Sequence, residues 1–161
     1  MYEHNIITDA YYLINKFNAN GKQVTNMQIQ KLMYFFEAYY MIIHDGEEKL
    51  YECNFNAWAF GPVAIPLYKE FRSFGNNAIV LTDKNIEESN CIPKEKKELL
   101  DTIYDAFENK TAIELVEYTH RPDSPWSKVW KENGEKVGYG ANTYIDKMET
   151  KEWFKDVFIK T

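Results

Sequence analysis

Cysteine is scarce in this chain. Cys53 and Cys91 are the only two, and neither sits in a paired motif. That argues against a disulfide framework and suits a reducing compartment. Together with His4, His44 and His120, the thiols do not supply the four closely spaced ligands of a structural zinc site. Basic charge falls short too: 19 Lys+Arg face 25 Asp+Glu, a net charge of −6. A free-standing DNA-binding module needs a basic field to release counterions, so direct nucleic-acid binding is not expected. The longest apolar stretch, Leu32 to Ile43, is broken by Glu37. It is far short of the ~20 residues that span a bilayer, so no membrane partner is expected. The opening Met1-Tyr-Glu-His4 lacks a basic stretch followed by an apolar run, so no signal peptide is read. These absences lead us to expect a soluble cytoplasmic protein.

What is present fits one compact domain over residues 1–161. Hydrophobic residues make up 45% and charged residues 27%, which excludes intrinsic disorder. Aromatics reach 16%, so many are either core or gathered on a binding surface. The acidic excess is local. Residues 81–120 hold ten acids and five bases, a net of −5, while the flanking stretches nearly cancel. That region is either a solvated helix face or a surface that attracts a basic partner.

Periodicity predicts a mainly α fold of about seven helices with a minor, short β pair. Ile6, Ala10, Leu13, Ile14 and Phe17 share one helical face, ended by Asn18-Ala-Asn-Gly21. Thr25 and Gln28 form a capping box for a second helix, and Val24 and Ile29 a hydrophobic staple. Its broad apolar stripe makes it central, and His44-Asp-Gly46 closes it. Residues 54–59 alternate as a strand, and Phe60-Gly-Pro-Val63 reads as a tight corner. Pro66 opens a short helix that Gly75 stops. Ala78-Ile-Val-Leu81 is the expected partner strand for 54–59, and 83–92 reads as a polar loop. Pro93 opens a helix buried through Leu99, Leu100, Ile103 and Phe107. Thr111 and Glu114 form a second capping box, and Ser124-Pro125 an N-cap and N1 pair. Lys131–Asn142 reads as a loop, and Gly138-Tyr-Gly140 within it lacks the third glycine of a dinucleotide motif. Trp153, Phe154, Val157 and Phe158 dock a last helix.

No catalytic constellation assembles from these residues. Cys53 or Cys91 could be a nucleophile with His120 as base and Asp123 as orienter, but no local signature ties them together. His120 closes a helix, where the dipole favours an imidazolium that caps carbonyls and fixes the turn into Pro125-Trp126. The alternative is a direct partner contact. Lys31, at the edge of the apolar stripe, either snorkels over it or pairs with an acid from residues 83–117. Trp58, Trp126 and Trp130 are core residues or interface anchors. Gly61 and Pro62 set backbone geometry at the corner.

Three blocks carry a family resemblance. Thr25-Asn-Met-Gln-Ile-Gln-Lys-Leu-Met-Tyr34, Ala57-Trp-Ala-Phe-Gly-Pro-Val63 and Leu115-Val-Glu-Tyr-Thr-His120 with Pro125-Trp126 occur in order. Together, over residues 6–130, the chain resembles the Panacea domain family, also called SocA-like or GepA-type phage-associated proteins. The residues carrying the resemblance are Thr25, Gln30, Lys31, Leu32, Tyr34, Trp58, Gly61, Pro62, Val63, Thr119, His120 and Trp126. They are a fold fingerprint first and a partner interface second. The resemblance implies an antitoxin that neutralises a cognate protein toxin by direct contact, without catalytic residues, metal or cofactor. A second mode it implies is an adaptor delivering the toxin to a protease. The weakly matching tail, 131–161, would then be the second contact. A phage-associated enzyme or regulator is the remaining alternative.

Overall fold

The computed structural model describes residues 4–45, 49–138 and 140–159. Gly46 and Tyr139, named above in a helix stop and a glycine motif, lie outside them. So do the first three residues.

Helix α1 (Ile6–Ala19) starts at Asn5, whose side chain accepts the Ile7 and Thr8 N–H groups. It lies against the central helix, α2 (Asn26–Ile43). The capping box at Thr25 forms: the Gln28 N–H donates to Thr25 Oγ1 and the Thr25 N–H to Gln28 Oε1. Val24 and Ile29 are both fully buried, as the staple requires. From there α2 buries residues on nearly every side, including Phe35 and Phe36, because other elements pack around it.

Strands β1 (Phe55–Trp58) and β2 (Gly61–Ala64) form an antiparallel hairpin, with Trp58 opposite Gly61. The partner of residues 54–59 is therefore the Gly-Pro segment and not 78–81. Only Ala59 and Phe60 turn the chain, and neither has positive φ. The left-handed conformation falls on Gly61, at φ 114°. Pro62 can pair because a two-stranded ribbon leaves its missing N–H on an edge. Residues 78–81 remain irregular, held where the Ile79 N–H donates to the Val24 carbonyl at 2.9 Å.

Helix α3 (Ile65–Phe71) continues from β2, with Pro66 in its first turn, and ends in a 3-10 turn, Arg72–Phe74. The expected polar loop is instead α4 (Asp83–Asn90), opened by a capping box of Thr82 and Asn85 and packed on α1. It makes eight α-helices among the described residues. Then follow α5 (Lys94–Phe107), α6 (Ala112–Thr119, capped by Thr111), and α7 (Pro125–Glu132, capped by Ser124). A 3-10 turn at Ala141–Thr143 leads to α8 (Lys147–Phe154), which widens into a π-helical turn, Lys155–Ile159.

The tail after Lys131 is built into this core. Trp153 and Phe154 of α8 lie 6.2 and 5.6 Å, ring to ring, from Phe35 of α2. Tyr34 and Thr150 hydrogen-bond through their hydroxyls at 2.9 Å.

Candidate functional site

The fingerprint residues divide into those that hold α2 to the hairpin and those that meet at one corner. Thr25 caps α2, Leu32 is core, and Tyr34 packs edge-on against Phe55 at 5.2 Å. Gln30 is the clamp. Its buried amide oxygen accepts the Ala64 N–H at 2.9 Å, and its amide nitrogen donates to Asn26 Oδ1. That satisfies a backbone group at the end of β2 that would otherwise be orphaned.

The next residue, Lys31, runs beneath the hairpin. It is 1% exposed, so it does not snorkel, and among the described residues no acid forms an ion pair with it. Burial alone pulls its amine down to about 7. A Cβ added at Gly61 would lie 2.7 Å from Lys31 Cε and 2.9 Å from Thr119 Oγ1. The glycine is thus needed twice, for its positive φ and for the space its missing side chain leaves.

The third block closes the corner. Thr119 is buried at the end of α6, with its hydroxyl donating to the Val116 carbonyl. Its own carbonyl accepts the Ser124 hydroxyl at 2.6 Å, which fixes the step from α6 into α7. His120 stacks face to face on Trp126, with centroids 3.7 Å apart and planes 6° from parallel. Trp126 Nε1 then donates to the Trp58 carbonyl at 2.7 Å, locking α7 to the hairpin turn. Trp58 Nε1 in turn donates to the Gly138 carbonyl. His120 Nε2 is buried without a hydrogen-bond partner among the described residues. Burial, and secondarily the charge of Lys31, push its pKa down. Both causes act against the imidazolium that the helix dipole would favour. The backbone N–H of His120 caps α6 while its ring stacks.

Beside this corner lies a cleft of about 340 Å³, lined by Gln30, Lys31, Trp58, Phe60, Val63 and Arg72 among others. Phe60, at the tip of the hairpin turn, is 63% exposed at its rim. The sequence reading passed over Phe60 as part of a turn. Its signal was the placement of a large apolar residue in a two-residue loop. A larger open depression of about 670 Å³ lies near Tyr144–Met148 and holds no fingerprint residue.

Other candidates separate. Cys53 is half-buried and its thiol is pushed up by burial, while Cys91 caps α4 and donates to the Glu87 carbonyl. No hydrogen bond joins either thiol to His120 among the described residues. Among these residues no cluster of three His, Cys, Asp or Glu could hold a metal, and no helix is long and apolar enough to cross a membrane. Among the ten acids of residues 81–120, Glu95 meets His44, Asp101 meets Lys16, Glu108 meets Lys22 and Glu114 meets Lys110.

The fold and corner define a mainly helical domain whose three ordered blocks converge on a buried lysine, a hairpin glycine and a histidine–tryptophan stack. No solved structure matches the chain. The model of the SocA-like antitoxin, Panacea domain, matches residues 29–127, and the chain belongs to that family. It is also similar to antitoxin SocA of Caulobacter vibrioides (strain NA1000 / CB15N), with 27% identity over 139 residues. That alignment covers 81% of this chain and 73% of the relative.

Proposed function

We propose that this chain is a cytoplasmic antitoxin that neutralises a cognate toxin by direct protein–protein binding. Family membership supports the class of function. The observation that carries the contact mechanism is the aromatic cleft on the fingerprint corner, with Phe60 standing exposed at its rim. An aromatic at the edge of a rigid pocket is the kind of residue that anchors an interface. The rigidity matters because little entropy is lost when a preformed surface docks. Neutralisation is then steric and calls for no catalytic step and no cofactor.

The test is co-expression. The product of the neighbouring gene is expressed alone and together with this chain, growth is scored, and the complex is isolated. Toxicity relieved by a stable complex is the expected result. A harmless neighbour that forms no complex overturns the reading. Relief accompanied by disappearance of the toxin replaces simple binding with delivery to a protease.

A further inference from the structure

We infer that Lys31 is the receptor for a carboxylate of the protein partner: an acidic side chain with apolar flanks, entering through the Trp58–Phe60 cleft. The inference rests on the protein-binding reading above and names the chemistry of the contact.

Three observations converge. First, Lys31 is a buried amine without a counter-ion among the described residues. The comparison within the molecule is direct: buried Lys96 meets Asp9 at 2.8 Å, and Lys147 meets Glu37. Leaving a buried ammonium unpaired is costly, and nothing in the fold of α2 demands a lysine there. Second, a further polar atom lies within its electrostatic reach, away from the cleft lining. His120 Nε2 is buried and unpartnered among the described residues, and it feels the charge of Lys31. In the tautomer with its proton on Nε2, it is a donor with nothing to donate to. The other charged side chain on the cleft, Arg72, is also basic. Third, Lys31 lines the cleft of about 340 Å³, so an incoming group has space.

The donor set selects the ligand. A carboxylate takes a charge-assisted hydrogen bond from the Lys31 ammonium, which lines the cleft. A phosphate dianion calls for a larger ring of N–H donors, and the nearby Gln30 amide is already committed to Ala64 and Asn26. The ring and aliphatic walls from Trp58, Phe60 and Val63 suit apolar neighbours on either side of the acid. The charge complements an acidic group on the partner, the opposite sense from the acidic α4–α6 surface.

The test observes Lys31 itself. The full chain, labelled at lysine Cε and Nζ, is titrated by NMR alone and with three probes at millimolar concentration. The probes are formate, Ac-Phe-Glu-Phe-NH2 and Ac-Phe-Gln-Phe-NH2. Alone, Lys31 titrates near 7. The glutamate peptide is expected to strengthen its proton affinity about tenfold. The glutamine peptide leaves it unmoved. No response to the glutamate peptide, or an equal response to both, overturns the inference. A response to formate but not to the glutamate peptide also overturns it, making this a small-ion site. If the wild-type chain relieves toxicity but the peptides leave Lys31 unmoved, the carboxylate receptor falls alone. If it fails to relieve toxicity, the antitoxin reading falls on that result and the peptide titration still decides what Lys31 binds.

Discussion

One methyl group added at Gly61 probes how the corner is held together. In Gly61→Ala the new Cβ would sit 2.7 Å from Lys31 Cε, 2.9 Å from Thr119 Oγ1 and 3.4 Å from Lys31 Nζ. The first two are closer than real Cβ atoms approach, and Thr119 is fixed by its own hydrogen bond. Backbone strain at φ 114° adds to the clash. Strain of this kind costs about 1–3 kcal/mol and overpacking about 1–3 more. A central value of about 4 kcal/mol corresponds to roughly 8–16 °C in melting temperature for a chain of this length. Gly21→Ala is the control, since Gly21 also has positive φ but open space around it. It should lose only the strain, about 1–2 kcal/mol. Differential scanning calorimetry on both variants separates the two contributions. Adding Lys31→Ala to Gly61→Ala removes the principal collision partner, and the pair should couple by about 0.5–3 kcal/mol. A Gly61→Ala melting temperature equal to that of Gly21→Ala, or strict additivity with Lys31→Ala, refutes the close packing of glycine on lysine.

Stability should rise with pH between about 7 and 9, because over that window the unfolded chain holds a proton on residue 31 that the native protein has released. Two pH units of this linkage amount to roughly 2–3 kcal/mol, and Lys31→Met should flatten the difference in urea unfolding between pH 7 and 9. The raised pKa of Tyr34 works in the opposite sense only above its unfolded value of 10.0, and the lowered pKa of His120 acts only below about 6.5. Lys96, its amine also lowered by burial, acts in the same sense, so the difference between wild type and Lys31→Met is what reports residue 31. Phe154→Ala should cost about 3–5 kcal/mol by emptying a site against Phe35. Deleting residues 148–161 should abolish cooperative melting in circular dichroism; a sharp melt in the shortened chain would show that the tail is dispensable.

Local signals carried most of the helices. Thr25 with Gln28 and Thr111 with Glu114 mark helix starts with contacts three residues apart, so the sequence contains the whole interaction. The capping box Thr82–Asn85 uses the same chemistry, but the helix behind it carries one large apolar residue, Ile86. Periodicity had nothing to register there. The hairpin was misread because its positive φ falls on the first residue of β2 and not inside the turn, so Gly61-Pro62 looked like the turn itself. The fingerprint residues were legible as a set, and the structure brings Lys31, Gly61, Thr119, His120 and Trp126 to one place. The condition of Lys31 was not legible. Whether a lysine snorkels, pairs or is sealed in depends on three other segments, 30 to 95 positions away, that close over it.

The placement of α8 on α2 also sets a schedule. Phe35 leaves the ribosome long before Phe154, its eventual cover, has been made. With Phe154 119 positions after Phe35 and synthesis at about 5–20 residues per second, the interval is roughly 6–24 s. For that time the central helix lacks one side of its aromatic casing, and Tyr34 lacks its hydroxyl partner on Thr150. A nascent chain halted short of α8 therefore presents greasy surface to chaperones and proteases. Folding of the aromatic core around α2 is consequently tied to completed translation of α8.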